Sequence, residues 1–162
     1  MLFYISINMN TLNKLKHLLF FTLFLLVSCG SGKAIEYEEG PLVNYEAKNT
    51  LASVLDRATE EGKIVFIDMY ADWCLPCKVM DADVFGDQAT ADFMNANFIN
   101  YKVNGEKGEG PDLVVLFGVE GYPTQLFLDN RGNIIEKNLG SLGIVGFNVL
   151  AERALAQAKN LK

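Results

Sequence analysis

The chain has 162 residues and carries 14 Lys and Arg against 20 Asp and Glu, which gives a formal net charge of −6. This length accommodates one domain with a hydrophobic core and short appendages. Half of the residues are apolar, which excludes a globally disordered chain. The acidic balance argues against a nucleic-acid partner, because neutralising phosphates requires a basic surface.

The first 28 residues have the composition of a targeting segment. They contain no acidic residue, and Lys14 and Lys16 precede an apolar run over residues 18–27. This run is shorter than the roughly 20 residues that a membrane-spanning helix needs. A basic start followed by a short apolar centre is typical of a secretory signal peptide. We therefore predict a signal peptide over residues 1–28, with Met9 as an alternative start to Met1.

The apolar run ends in Leu26-Val27-Ser28-Cys29-Gly30. A Leu three residues before a Cys, with a small residue between them, resembles the bacterial lipoprotein signal motif. The resemblance implies that Cys29 is lipidated and anchors the protein to a membrane of the bacterial cell envelope, facing the periplasm; each buried acyl CH₂ adds about 0.8 kcal/mol. The alternative is an ordinary signal peptide with a chance cysteine. Residues 29–44 lack helical or strand periodicity, which predicts a flexible tether.

Removal of this segment restricts the chemistry of the mature chain. His17 is the only histidine, so its loss excludes Cys–His and Ser–His nucleophile pairs and any His-ligated metal site. If lipid occupies Cys29, the remaining cysteines are Cys74 and Cys77, too few for a four-ligand zinc site. We therefore expect no metal and no cofactor other than a redox-active disulfide between these two residues.

From residue 45 to residue 162 the hydrophobic pattern predicts one compact α/β domain. The first half is expected to contain a helix capped by Asn49 or Thr50 and ended by Gly62, a buried strand over 63–70, a helix from Cys74 past Met80 and a helix from about Asp87. The second half is expected to contain a strand over 98–103, a short helix over 111–117, strands over 124–128 and 134–137 joined by a turn, and a last helix over about 143–159. The glycine-rich, charged residues 104–110 are expected to form a flexible loop.

The feature that indicates chemistry is Cys74-Leu75-Pro76-Cys77, placed directly after the buried strand and at the start of a helix. Backbone N–H groups and the positive end of the helix dipole favour a thiolate at Cys74, and the thiolate is the nucleophile of disulfide exchange. Cys77, one turn later, can attack the resulting mixed disulfide. Pro76 suits the first helical turn. A purely structural disulfide and a sulfur-only metal site shared between two chains are the alternatives.

The segment Asp68-Met69-Tyr70-Ala71-Asp72-Trp73-Cys74-Leu75-Pro76-Cys77-Lys78 is similar to the active-site segment of the thioredoxin family. It most resembles the C-terminal domain of the bacterial thiol:disulfide interchange reductase and its single-domain relatives, and the resemblance covers roughly residues 45–160. It implies a thioredoxin-like fold, with a central mixed β-sheet flanked by α-helices on both faces. It also implies a thiol:disulfide oxidoreductase that acts on protein disulfides and receives electrons from a membrane thiol donor.

Two further matches extend the resemblance to site residues. It implies that Asp68 relays a proton to or from Cys77, and a carboxyl group in an apolar strand should have a raised pKa that suits this role. The alternative for Asp68 is a polar residue at the sheet edge. The resemblance also implies that Tyr122-Pro123 is the family's cis-proline loop, which would present the backbone of Tyr122 to an incoming chain. A trans proline at a strand start is the alternative.

Other residues have weaker assignments. Lys102 falls where the family has a lysine near the buried Asp, so it could tune that carboxyl group, or it could be solvated. Trp73 is expected to pack beside the dithiol and shield it, although a core tryptophan would look the same in sequence. Tyr122 is bulkier than the family's usual residue before the cis-proline, which puts details of the pocket in doubt.

The residues between the cysteines indicate the direction of electron flow. Strong periplasmic oxidants carry a His there, whereas Leu75-Pro76 contains none, and Pro76 matches the reducing members. We therefore expect a reductase of extracytoplasmic disulfides. The alternatives are a thioredoxin-like binding or scaffold module with an idle dithiol, and a dedicated reductant for cytochrome c assembly. The last is disfavoured because the stretch between Cys77 and Pro123 is short for the extra insert of those relatives.

Overall fold

The computed structural model describes residues 40–46 and 49–160. The predicted signal peptide, the lipidation residue Cys29 and tether residues 29–39 lie outside them. In chain order the described elements are α1 (Leu51–Glu61), β1 (Ile64–Tyr70), α2 (Leu75–Asp83), α3 (Gln88–Asn97), β2 (Phe98–Asn104), α4 (Gly110–Phe117), β3 (Thr124–Leu128), β4 (Ile134–Leu139) and α5 (Ile144–Asn160). Within the described part of the chain, no helix combines the length and the apolar character needed to cross a bilayer.

The strands form one mixed sheet in the order β2-β1-β3-β4. Strands β1 and β2 run parallel, whereas β3 is antiparallel to both β1 and β4. β4 extends to Leu139, two residues beyond the predicted end, because Leu139 is the partner of Thr124 in the ladder. The predicted thioredoxin-like fold, with a central mixed sheet between helices, is confirmed.

The helix ends form where the sequence places polar caps and glycine. Thr50 closes a capping box with Ser53 at the start of α1, and Gly62 ends the helix with φ +65°. Asp87 caps α3 through the N–H of Thr90. These side chains satisfy backbone donors that the first helical turn leaves without partners. The predicted starts of these two helices are therefore confirmed.

Alternation along the strands separates two hydrophobic cores. In β1, Ile64 and Phe66 face a core that also contains buried residues of α2, α3 and α5. Val65, Ile67 and Met69 face the opposite core, which includes buried residues of α1 and α4. Because side chains alternate along a strand, Asp68 lies on the same face as Phe66 and therefore on the face covered by α2. This geometry decides what the carboxyl group of Asp68 can reach.

The end of the predicted tether differs from the structure. The N–H of Leu42 donates to the carbonyl oxygen of Phe85 at 2.8 Å, and the N–H of Asn44 donates to Asn95 at 2.8 Å. Val43 is buried. Residues 42–44 therefore pack against the domain, because the apolar side chains of Leu42 and Val43 contact the core.

Phe147 of α5 lies at the centre of the first core. Its ring centroid is 5.1 Å from that of Phe85 and 5.4 Å from that of Phe66, and the residue is fully buried. We expect Phe147→Ala to lower the free energy of unfolding by about 3–5 kcal/mol, because it removes an aromatic side chain and leaves a cavity. Urea unfolding of the oxidised protein, followed by circular dichroism, measures this change. Glu152→Ala, at an exposed position of the same helix, should stay within about 0.5 kcal/mol of the wild type; an equal loss in both variants contradicts the prediction.

Candidate active site

The two cysteines stand at the start of α2. Cys74 is the N-cap residue, and the helix begins at Leu75 with a proline in its first turn. Cys74 and Cys77 form a disulfide with an S–S distance of 2.01 Å. The N–H of Cys77 donates to Sγ of Cys74 at 3.2 Å. The predicted disulfide is thus present, and a helix N-terminal N–H group points at the sulfur that would carry the negative charge after reduction.

The disulfide is covered in this oxidised state. Cys74 is 1% exposed and Cys77 is 3% exposed. Together with Ala71 they form a small buried cluster against which Tyr70 and Tyr122 pack. An attacking thiolate can therefore reach the Sγ atom of Cys74 only when the covering side chains move aside. The covering residues are Tyr70 and Tyr122, whereas the sequence predicted shielding by Trp73.

The peptide bond between Tyr122 and Pro123 is cis, as predicted. The Tyr122 ring packs against the dithiol cluster and lies edge-on to the Trp73 ring, with centroids 6.0 Å apart. A Cβ atom added to Gly105 would lie 2.2 Å from the Tyr122 hydroxyl oxygen. The Tyr122 ring therefore occupies space that a side chain at position 105 would need, and a residue larger than glycine there would push the ring away.

Trp73 is not a core residue. It is 68% exposed, which excludes the alternative of an ordinary buried tryptophan. Its indole N–H donates to Oε1 of Glu106 at 2.9 Å, and its ring contacts that of Tyr122. The side chain therefore stands at the surface next to the dithiol, held on one side by a carboxylate and on the other by an aromatic ring.

The loop over residues 104–110 is tied to the active-site segment and is not the flexible loop that its composition predicts. Asn104 donates to Asp72 at 2.8 Å, and Lys107 forms an ion pair with Asp72 at 2.5 Å. Asp72 stands directly before Trp73. The prediction was wrong because the polar residues of the loop find partners across the chain, which composition alone does not reveal.

Asp68 lies in the central strand of the sheet, which excludes the edge position. It is 1% exposed and is opposite Lys102 in the β1–β2 register. The Lys102 ammonium group forms an ion pair with Asp68 at 2.6 Å and a second, short one with Asp81 of α2. The same Nζ atom lies 4.9 Å from the Tyr70 ring centroid. Lys102 is thus not solvated but bridges the sheet and the dithiol helix.

Burial and charge have opposite effects on this cluster. Burial raises the pKa of Asp68 above its ordinary value, and the neighbouring charge of Lys102 offsets only part of that rise. Burial by itself lowers the pKa of Lys102, but the combined attraction of the Asp68 and Asp81 carboxylates outweighs burial and raises this pKa. Oδ1 of Asp68 has no hydrogen-bond partner among the described residues. The predicted raised pKa of Asp68 is confirmed in direction.

Three contributors to the site were not predicted from the sequence. Asp81 lies four residues after Cys77, a spacing that places both residues on one side of α2. Glu106 and Gly105 lie far from the dithiol in sequence. Nothing in the local pattern pairs them with Trp73 and Tyr122.

A disulfide at a helix start, a buried carboxyl group on the adjacent strand and a cis-proline loop packed against the sulfurs define a thioredoxin-like thiol:disulfide oxidoreductase. Residues 40–134 match the family Thioredox_DsbH, described as a protein of unknown function (DUF255). The chain belongs to this family.

Individual relatives agree with this assignment. Thioredoxin H4 of Arabidopsis thaliana is 32% identical over 104 residues, which cover 64% of this chain and 82% of that protein. The thiol:disulfide interchange protein DsbD of Pseudomonas fluorescens is 31% identical over 108 residues, which cover 60% of this chain but only 18% of DsbD. The resemblance to the thioredoxin family and to the interchange reductase, predicted from the active-site segment, is confirmed.

A solved structure supports the same fold. The solution structure of a candidate disulphide-isomerase from Bacteroides thetaiotaomicron has a TM-score of 0.65 and 30% sequence identity, and the match covers 73% of this chain and 97% of that chain. The match extends over nearly the whole length of this structure, whereas DsbD is matched over a small part of its length.

Because the pKa of Asp68 is raised in the folded state, ionisation of this carboxyl group lowers the free energy of unfolding. A carboxyl group whose pKa is higher in the folded state stabilises the fold below its unfolded pKa of about 3.9, and this stabilisation is lost as the pH rises through the folded value. Asp68→Asn should therefore raise the free energy of unfolding of the oxidised protein at pH 8, with a difference that shrinks towards pH 4. Urea unfolding at both pH values measures it. Asp56→Asn, at an exposed position of α1, is the matched control; a larger gain at pH 4 than at pH 8 contradicts the prediction.

Proposed function

We propose that this protein is a thiol:disulfide reductase of the bacterial cell envelope that keeps cysteines of extracytoplasmic proteins reduced through Cys74 and Cys77. The observation that carries the proposal is the placement of this disulfide at the start of α2, against the cis-proline loop. A disulfide that closes so short a loop constrains the unfolded chain little. A purely structural role therefore leaves the arrangement around the sulfurs without a reason.

The reaction transfers two electrons from the reduced dithiol to a substrate disulfide. The Cys74 thiolate attacks one substrate sulfur, the substrate S–S bond breaks, and the leaving sulfur departs as a thiolate that takes up a proton. The Cys77 thiolate then attacks Sγ of Cys74 in the mixed disulfide. The second substrate sulfur leaves, and Cys74 and Cys77 end as the disulfide. A membrane thiol donor returns two electrons to close the cycle.

Asp68 is proposed to relay the proton of Cys77. Burial raises its pKa, so it holds a proton to higher pH than an exposed carboxyl group does, and its Oδ1 atom accepts no hydrogen bond from a described residue. Lys102 limits the rise of this pKa through its ion pair at 2.6 Å. Lys102 is thereby proposed to tune this carboxyl group.

Substrate binding is assigned to the surface around the disulfide. The backbone of Tyr122, next to the cis bond to Pro123, is proposed to pair with an extended substrate segment in the manner of an added strand. Trp73, exposed beside it, supplies an aromatic contact. Because Cys74 is covered in the oxidised state, the thiol donor that reduces this disulfide must displace part of the cover formed by Tyr122.

The direction of transfer is proposed from the residues between the cysteines. Leu75 and Pro76 offer no charged or hydrogen-bonding side chain to stabilise the Cys74 thiolate, so reduction of the disulfide is not strongly favoured. Such a pair loses its electrons readily to a substrate. The similarity to the interchange protein DsbD is compatible with exchange between protein thiols.

The location in the envelope is proposed from the first 30 residues. The apolar run that ends before Cys29 supports export and lipidation. Acyl chains would hold the protein at a membrane while the residues after Cys29 connect the anchor to the folded domain.

The reductase activity is tested by insulin reduction with purified protein. Cys74→Ala should abolish the activity, because no nucleophile remains to open the substrate disulfide. Cys77→Ala should accumulate mixed disulfides on Cys74, which non-reducing gels and mass spectrometry detect. Cys29→Ser is the matched cysteine control and should keep full activity. An inactive wild type with reduced, accessible Cys74 would favour the binding or scaffold module.

Two further experiments test the direction of electron transfer and the proposed proton transfer. Equilibration with glutathione should give a potential near that of thioredoxin, about −270 mV, and a value near −120 mV contradicts the reductase assignment. Asp68→Asn should slow release of the product from the mixed disulfide at neutral pH. An unchanged pH profile of that step contradicts the proton relay.

Lipidation is tested in bacterial cells that express the whole chain. Labelled palmitate should be incorporated into the wild type and lost in Cys29→Ser, because the acyl chains attach to this sulfur. Cys77→Ser serves as the control and should remain labelled. Label that persists in Cys29→Ser would remove the proposed anchor.

A further inference from the structure

An apolar groove with a volume of about 550 Å³ lies between α2 and the segment that opens α5. Val79, Met80 and Val84 contribute to its α2 wall, and residues 141–146 form the other. Val79 is 48% exposed and Val145 is 77% exposed. The volume falls in the range of roughly 300–1,000 Å³ that is typical of binding sites. The groove therefore has room for at least one large apolar side chain.

The α2 wall leads directly to the dithiol. Leu75, Val79 and Asp83 are spaced four residues apart and so share one face of the helix. Leu75 follows Cys74 in sequence and is 68% exposed. An apolar stripe therefore runs from the nucleophilic sulfur to the groove along the surface of α2.

The second wall also begins at the active site. The N–H of Gly140 donates to the carbonyl oxygen of Pro123 at 2.8 Å, so the segment that forms this wall leaves directly from the cis-proline loop. The groove therefore lies between one element that starts at the dithiol and one that starts next to the cis-proline loop, where disulfide exchange is proposed to take place.

Charge limits the kind of side chain that fits beside the groove. Among the described residues that line it, Asp83 is the only one with an ionisable side chain. It is exposed, and within the described part of the chain no lysine or arginine forms an ion pair with it. A second copy of this chain on the same face would bring two Asp83 carboxylates together in a symmetric pair. A partner with a basic residue is complementary instead.

Resting on the proposed disulfide exchange at Cys74, we propose that this groove binds an apolar side chain of the disulfide-bearing protein segment, next to a basic residue that pairs with Asp83. The five residues from Cys74 to Val79 rise about 7.5 Å along the helix. An extended substrate segment covers about 3.3 Å per residue. The apolar anchor therefore lies two or three residues from the substrate cysteine.

The test uses synthetic peptides whose single cysteine carries a 5-thio-2-nitrobenzoate group. The Cys74 thiolate of the reduced protein attacks the peptide sulfur, and the coloured nitrothiobenzoate thiolate leaves. Cys77 then displaces the peptide thiol and forms the disulfide. The four peptides carry Phe or Ala three residues after the cysteine, and Arg or Glu next to that Phe or Ala. We expect the Phe–Arg peptide to react about tenfold faster than the Ala–Arg peptide at low concentration, because burial of the ring lowers KM.

Matched variants locate the effect. Val145→Asp should abolish the advantage of Phe, whereas Val115→Asp, at an 82% exposed valine of α4 outside the groove, should keep it. A Cβ atom on Gly146 would lie 3.5 Å from Leu142, an ordinary contact, so Gly146→Met can fill the groove and should also abolish the advantage. Asp83→Lys should change the preference from Arg to Glu by about threefold, in line with an exposed ion pair.

The outcomes separate the groove from the dithiol chemistry. The small disulfide 5,5′-dithiobis(2-nitrobenzoate) should react at the same rate with every variant, since it has no anchor. Equal rates for Phe and Ala peptides, or equal behaviour of Val145→Asp and Val115→Asp, would overturn the groove assignment. Failure of the wild type to reduce the small disulfide would overturn the proposed function. A wild-type dimer that Val145→Asp dissociates would assign the groove to a second copy.

Discussion

The alternation of side chains along β1 is the constraint on which the site depends. It directs Ile64 and Phe66 into the core beneath α2 and, two residues later, directs Asp68 to the same face. A shift of the strand by one residue would exchange the two faces and remove the carboxyl group from the dithiol helix. Phe66, fully buried against the rings of Phe85 and Phe147, opposes such a shift, since it would have to leave this core. Core packing thus fixes the position of the Asp68 carboxyl group.

The ammonium group of Lys102 joins that strand to the dithiol helix. It lies between a carboxylate of the sheet and a carboxylate of α2, and aromatic rings surround it at about 5 Å. Because Lys102 also pairs with Asp81, its charge keeps a partner when Asp68 is protonated. The arrangement therefore couples the helix that carries Cys77 to the carboxyl group of Asp68. It also keeps the pKa of Asp68 from rising as far as burial alone would raise it.

A second set of contacts controls access to the sulfurs. The loop over residues 104–110 holds Trp73 through Glu106 and gives the Tyr122 ring its place above Gly105. Tyr122 in turn packs against the disulfide. The same residues that are proposed to meet a substrate therefore also cover the oxidised sulfurs. The apolar groove beside α2 lies outside this cover, and a partner seated in it would approach the disulfide from the side where Leu75 is exposed.

The order and type of the elements, the redox pair and the family could all be predicted from the amino-acid sequence. These follow from local patterns: hydrophobic periodicity, capping residues such as Thr50 and Asp87, and two cysteines at a helix start. It also placed Asp68 in a buried strand and Tyr122-Pro123 at the cis bond, through resemblance to the thioredoxin family. The packing of Val43 was missed, because the short stretch around it shows no helical or strand period.

Only the tertiary structure decided which distant side chains meet. The ion pair of Lys102 with Asp81, the hydrogen bond of Trp73 with Glu106 and the close approach of Tyr122 to Gly105 each join residues from separate elements. The same holds for the groove, whose walls come from α2 and from the segment before α5. Contacts of this kind depend on strand register and on how helices lie across a sheet. Neither is contained in a local run of residues, which is why composition predicted a flexible loop where the folded chain has an anchored one.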